Sequence, residues 1–181
     1  MTSEEFIAWA MDQPETAHFE LVGGEVVAMA PERLGHVRAK QRIFLRLAEA
    51  IARHRLPCEA LIDGAAIQVD ASTVYEPDVL VRCGDALSDD TVNVTDPMII
   101  VEVASPSTHR VDRGVKFIDY FRIATVRHYL LVFADRRVIL HHVRDKNGLI
   151  TSHILGDGPI RLEPPGIELS DILPRPPETG R

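Results

Sequence analysis

The run Met98-Ile99-Ile100-Val101-Glu102-Val103-Ala104 constrains this chain more than any other segment. Its β-branched content predicts a strand, and it is too apolar for a strand with one face in water. It therefore belongs at the centre of a sheet. Yet it carries a carboxylate, Glu102. An ionised carboxylate withdrawn from water must be protonated, paired or bound to a metal. A structural salt bridge or a strand face open to solvent would satisfy Glu102 without any function.

Two other residues point beyond a structural role. Asp78 follows Pro77 in a second β-prone run, YEPDVLVR, which reads as a strand of alternating type. Strand, loop and strand can set Asp78 and Glu102 side by side on one sheet face. Two carboxylates converging with water and phosphate oxygens suit a Mg²⁺ ion. Lys116 is the third candidate, on a helix expected from Val111 to Ala124. There Asp112, Lys116 and Tyr120 line up at i, i+4 and i+8, apart from the side carrying Phe117 and Phe121. An Asp112–Lys116 pair alone would contribute about 0.2–0.5 kcal/mol to the helix. In the functional reading Lys116 reaches back over the sheet toward Glu102 and orients an attacking water. Ser105 and Ser107 lie between these elements and read as turn and cap residues, since no motif supplies them with a base.

The remaining pattern is that of one mixed α+β domain. A short helix is expected at Ser3–Met11 with Ser3 as its cap, and HFELV and EVVAM around Gly23-Gly24 read as a hairpin ended by Pro31. A long helix is expected from Arg33 to His54, with Ile43, Leu47 and Ile51 on one face and Phe44 beside them. His36 falls on that inward side, while Arg38, Arg42, Arg46 and Arg53 fall opposite. A basic stripe is ordinarily a solvated helix back, and its functional reading is a surface that tracks phosphates. Residues 57–70 suggest a hairpin turning at Asp63-Gly64. RHYLLVFA and RVILHHV suggest a strand pair turning at Asp135-Arg136, and Asn147-Gly148 marks a further hairpin. After Gly156 the chain turns Pro-rich. The domain is expected over residues 1–173, with a flexible tail at 174–181.

Composition bounds the partners. The net charge of −7 repels polyanions, so nucleic acid must be met by a local basic patch or through metal. Cys58 and Cys83 lack metal-ligand spacing and are expected as small buried thiols rather than as a disulfide or half a zinc site. The acidic N-terminal stretch lacks the basic region of a signal peptide. No run approaches the ~18 apolar residues of a membrane span. A reducing cytoplasm is the expected location.

The string Pro77-Asp78, Glu102-Val103-Ala104-Ser105-Pro106-Ser107-Thr108, Asp112-Arg113, Lys116 and Tyr120 resembles the Uma-two family of restriction-endonuclease-like proteins, within the PD-(D/E)XK nuclease superfamily. Phe19-Glu20-Leu21-Val22-Gly23-Gly24-Glu25, Met29-Ala30-Pro31 and His36 resemble the family's opening. Arg127-His128-Tyr129-Leu130-Leu131-Val132 resembles its strand after the helix. The likeness spans essentially the whole chain. Ala104 stands where the superfamily's commonest pattern has a lysine, and Lys116 matches the family's displaced one. The resemblance implies a restriction-endonuclease-like central mixed β-sheet flanked by helices, with additional hairpins. It further implies Asp78 and Glu102 as ligands of Mg²⁺ or Mn²⁺, Lys116 as their assistant, and DNA phosphodiester hydrolysis. Glu20, His36 and Tyr120 become auxiliary candidates, and Arg38, Arg42 and Arg46 candidate nucleic-acid contacts. A homodimer would suit the cutting of both strands. RNA or branched substrates, and a nuclease-fold module that binds nucleic acid or a protein without catalysis, are the alternatives.

Overall fold

The computed structural model describes residues 1–14, 16–104 and 110–174, with the backbone alone for 110–113. Ser105 and Ser107 therefore lie outside the described residues, as does the Asp112 side chain. Helix α1 (Ser3–Met11) forms where expected, but Thr2 rather than Ser3 caps it. Thr2 and Glu5 bond each other's backbone N–H reciprocally, leaving Ser3 to bury its side chain and donate to the Asp70 carbonyl at 2.7 Å. Strands β1 (Phe19–Val22) and β2 (Glu25–Ala28) then pair around Gly23 and Gly24, both at positive φ.

Helix α2 (Leu34–His54) buries Ile43, Leu47, Ala50 and Ile51 and stops at Arg55, which adopts the left-handed conformation. Burying side chains such as Ile43 and Leu47 contributes about 1.5–3 kcal/mol each. The chain next builds β3 (Cys58–Ile62), β4 (Ile67–Asp70), β5 (Thr73–Tyr75), β6 (Val79–Cys83) and β7 (Pro97–Val103). Helix α3 (Arg110–Tyr120) is followed by β8 (His128–Phe133), β9 (Val138–Arg144), β10 (Ile150–Leu155), β11 (Ile160–Leu162) and β12 (Ile167–Leu169).

The large sheet has the order β10-β9-β8-β7-β6-β3, with β7 and β8 parallel and the other neighbours antiparallel. The apolar run thus forms a central strand. Ile99, Val101 and Val103 point into one core with Ile43 and Leu47 of α2, while Ile100 points into a second core with Tyr120 and Phe121. The strand's two-sided burial is what its unbroken apolar sequence demanded. A smaller sheet, β2-β1-β5-β4, lies beside it.

Three sequence expectations are corrected. Residues 57–70 do not form a hairpin, because β3 joins the large sheet and β4 the small one. The run YEPDVLVR is split: β5 ends at Tyr75, β6 begins at Val79, and Pro77, which has no N–H to donate, sits in the gap. Cys58 and Cys83 are not free thiols but form a disulfide, since they face each other as paired residues of β3 and β6. The cytoplasmic expectation leaned on free thiols and loses that support. The Pro-rich segment also folds further than its sequence suggests, with β11 and β12 pairing and burying Ile160, Leu162, Ile167 and Leu169 in the α2 core. No helix among the described residues is long and apolar enough to cross a membrane.

Candidate active site

Asp78 lies one position before Val79, which pairs with Val101, so the register sets Asp78 opposite Glu102 where β6 and β7 part. Its Oδ2 accepts the backbone N–H of Val103 at 2.5 Å. That bond locks the carboxylate against the strand carrying Glu102. The other oxygen, Oδ1, lies 3.2 Å from His36 Nε2 and 3.7 Å from Lys40 Nζ.

Glu102 finds the partners its apolar strand required. Its Oε1 accepts from the Tyr120 hydroxyl at 2.7 Å and from Lys116 Nζ at 3.2 Å. Lys116 also donates to Glu20 Oε1 at 2.8 Å and lies 5.0 Å from the centre of the Tyr75 ring. Glu20 is fixed in turn by the backbone N–H of Glu76 at 3.1 Å, and the Tyr75 hydroxyl donates to Asp119 at 2.7 Å. Glu20 and Tyr75 come from the small sheet, Glu102 from the large one, and Lys116 and Tyr120 from α3. The candidate site is therefore a seam between the two sheets.

Burial pushes the Glu102 carboxyl up to about 7, assisted by the nearby charges of Asp78 and Glu20 and opposed chiefly by Lys116. Burial likewise raises the Tyr120 and Tyr75 hydroxyls, which stay protonated donors. For His36, burial acts to lower the imidazole pKa, but the hydrogen bond and charge of Asp78, with Glu32, outweigh it and the net shift is upward.

Sequence reasoning missed a second cluster on the α2 side of Asp78. Lys40 is buried, yet its ammonium lies 2.6 Å from Asp63 Oδ1 and 2.6 Å from Glu32 Oε2. Burial alone would lower its pKa, but these hydrogen bonds and the Asp78 charge raise it. The signal was present as the i, i+4 ladder Glu32–His36–Lys40, on the same side as Ile43. Tyr75 was also missed, having been assigned only to a strand. By contrast Arg38, Arg42 and Arg46 line a shallow depression on the outer side of α2 with Gln41, Leu45 and Glu49, turned away from His36. Arg46 is paired there with Glu49 at 2.8 Å. The three arginines are not brought to the site.

The carboxylates of Asp78 and Glu102 offer the hard oxygen donors that Mg²⁺ or Mn²⁺ takes alongside water. A cation at this position would favour the ionised form of the Glu102 carboxyl and lower its pKa. Among the described residues, Glu32, His36 and Asp78 also bring one ligand atom each to within 4.8 Å of one another.

The model of the Uma2 family, described as "Putative restriction endonuclease", matches residues 3–174. The chain belongs to the Uma2 family. A Synechocystis protein named "Uncharacterized protein slr1290" is 32% identical over 175 residues, covering 94% of this chain and 87% of that protein. A crystal structure described as "a putative nuclease belonging to DUF820", from Anabaena variabilis, superposes with a TM-score of 0.72 at 12% identity, covering 91% of this chain and 90% of the other. At that identity the likeness carries the fold, and it agrees with the central mixed sheet flanked by helices. Membership in the Uma2 family and this fold together indicate a restriction-endonuclease-like protein.

Proposed function

We propose that this Uma2 chain is a divalent-metal-dependent endonuclease that hydrolyses DNA phosphodiester bonds, with Asp78, Glu102 and Lys116 at its centre. The observation that supports it most is Lys116, whose ammonium links Glu20 and Glu102 beside the strand end that holds Asp78. A Mg²⁺ or Mn²⁺ ion held by Asp78 and Glu102 would lower the pKa of a bound water and offset phosphate charge.

The chain's own groups do the rest. Tyr120 and Lys116 fix the Glu102 carboxylate, and the Val103 N–H fixes that of Asp78. The Lys116 ammonium orients the attacking water and meets the charge that grows on the phosphoryl oxygens. In hydrolysis the water gives up one proton to solvent as its oxygen bonds to phosphorus, the bond from phosphorus to the leaving sugar oxygen breaks, and that oxygen takes a proton from solvent. Glu20 holds Lys116 in position, and His36 holds Asp78. Arg38, Arg42 and Arg46 enter the proposal only as an outlying phosphate-tracking surface, and a homodimer as the assembly that would cut both strands. The domain over residues 1–173 is proposed as the whole catalytic unit.

Purified protein should cut DNA only with Mg²⁺ or Mn²⁺ present. Glu102→Gln and Lys116→Met should each lower the cleavage rate by about a hundredfold or more. Unchanged cleavage in both variants would sink the assignment. Metal-independent DNA binding without cleavage would support a non-catalytic module instead, and cleavage confined to RNA would move the substrate.

A further inference from the structure

Strand β10 is an edge of the large sheet, and among the described residues it pairs with β9 alone. Its six residues match β9 in one unbroken register, so its outer side presents a straight row of unpaired N–H and C=O groups. Sheet edges are ordinarily blunted by charge, a bulge or a cover, and the other edges of the two larger sheets carry such devices. β2 begins with Glu25, while β3 carries Glu59, paired with Arg82, and is tied to β6 by the disulfide. β4 has a register shift before Asp70, and the Asn93 side chain accepts its Gln68 N–H. β10 has none of these. No Asp, Glu, Lys or Arg lies between Gly148 and Gly156, yet Leu149 and Ile154 are 63% and 79% exposed. Residues 151–154 are exposed on both faces of the strand, so neither core claims them. We propose that β10 is the interface of a homodimer, pairing antiparallel with β10 of a second copy about a two-fold axis at Ser152 and continuing the large sheet across both subunits.

An open edge takes up an extended strand, and the pattern of β10 matches β10 itself. A two-fold axis requires one residue to face its own copy. Centred on Thr151, the pairing would set Ile154 against Gly148 of the partner subunit. Centred on His153, it would set Ile154 against Ser152 of the partner subunit. Centred on Ser152, Ile154 faces Ile150 of the partner subunit on one side of the sheet, and Leu149 faces Leu155 of the partner subunit on the other. Of the three, this register alone sets apolar against apolar at both exposed positions.

Charge agrees with that choice. Two copies of net charge −7 repel each other, but β10 is neutral and is flanked by exposed Lys146 at one end and exposed Asp157 at the other. Antiparallel pairing brings opposite charges together at both ends of the interface. Asp145, beside Lys146, has its carboxylate engaged by the N–H groups of Asn147 and Leu149 within the turn.

The pairing gives the proposed homodimer its surface and does not rest on the nuclease reading. Full-length protein should sediment as a two-chain species at micromolar concentration. Ile154→Lys alters an exposed side chain, so it should keep the far-ultraviolet circular dichroism of the wild type. It should weaken dimerisation by about tenfold or more, because the change enters the interface twice. Cys58 and Cys83 are bonded to each other, so Ser152→Cys supplies one free thiol and should form an intersubunit disulfide under mild oxidation. Ile154→Cys should not, since its two copies lie roughly 13 Å apart along the strands. A monomer at every concentration, or a dimer untouched by Ile154→Lys, overturns the proposal. A dimer that cross-links through Ile154→Cys but not through Ser152→Cys overturns it as well. DNA cleavage by a monomer would sink the interface and leave the nuclease reading standing, and a β10 dimer that cuts no DNA would do the reverse.

Discussion

Glu102 is a carboxyl held in a place where its charge is costly. Its folded pKa of about 7 lies above the ordinary glutamate value, so between those pH values the native state keeps a proton that the unfolded chain has released. The associated stability is full below the unfolded pKa and is lost as pH rises through about 7. Urea melts of metal-free protein should therefore show stability falling by on the order of 1–3 kcal/mol from acid to neutral pH through this group. Glu102→Gln, neutral at every pH, should flatten that part of the profile and be the more stable form above pH 7. A difference between wild type and variant that stays constant with pH would show that Tyr120 and Lys116 compensate the carboxylate fully. Added Mn²⁺ should reduce the alkaline loss, because a cation that binds only the folded, ionised form stabilises it.

Strands β8 and β9 hold a second titrating pair, remote from the metal candidates. His128 Nδ1 and His141 Nε2 lie 3.0 Å apart in the paired strands, and His128 Nε2 donates to the Pro164 carbonyl ahead of β12. Burial, with the neighbouring His128, His153 and His142, lowers His141 to about 4. Here the unfolded chain binds the extra proton, so this contribution is present above the ordinary histidine pKa and is lost as pH falls toward 4. Acid melts should show wild type losing up to roughly 3 kcal/mol relative to His141→Gln over that window, and parallel profiles would refute it. The same elements show what the sequence revealed and what it hid. β7 and α2 were legible because each carries its burial in an unbroken local pattern. β11 and β12 were not, because three-residue strands beside Pro164-Pro165 become strands only by packing against α2. Glu102 stood out by chemistry at odds with its apolar strand, whereas Asp78 and Lys116 drew their weight from Glu102 and from the family likeness. Lys40 did not stand out, because an ordinary helical lysine becomes unusual only when Asp63 and Asp78 arrive from other parts of the chain.

At the scale of the whole molecule, the candidate site sits where two sheets and two helices meet, while the disulfide ties down the far end of the strand that positions it. Cys83 closes β6, whereas Asp78 precedes its first residue. Five residues of strand span roughly 15 Å, so the tether and the carboxylate are mechanically separate. The bond spans 25 positions of chain, and restraining a loop of that length in the unfolded state is worth about 3 kcal/mol. Among the described residues β3 pairs with β6 alone and forms one edge of the sheet, so the tether also secures that edge. Reduction should then lower the melting temperature by roughly 5–12 °C in a domain of this size. Below that transition, Mn²⁺ affinity and any cleavage activity should be unchanged, because Asp78 keeps its bond to Val103 N–H. A Cys58→Ser/Cys83→Ser variant should melt like reduced wild type and be insensitive to reductant. Loss of metal binding on reduction at a temperature where the fold persists would mean instead that the edge strand and Asp78 move together, making the disulfide a control on the site rather than a brace for the sheet.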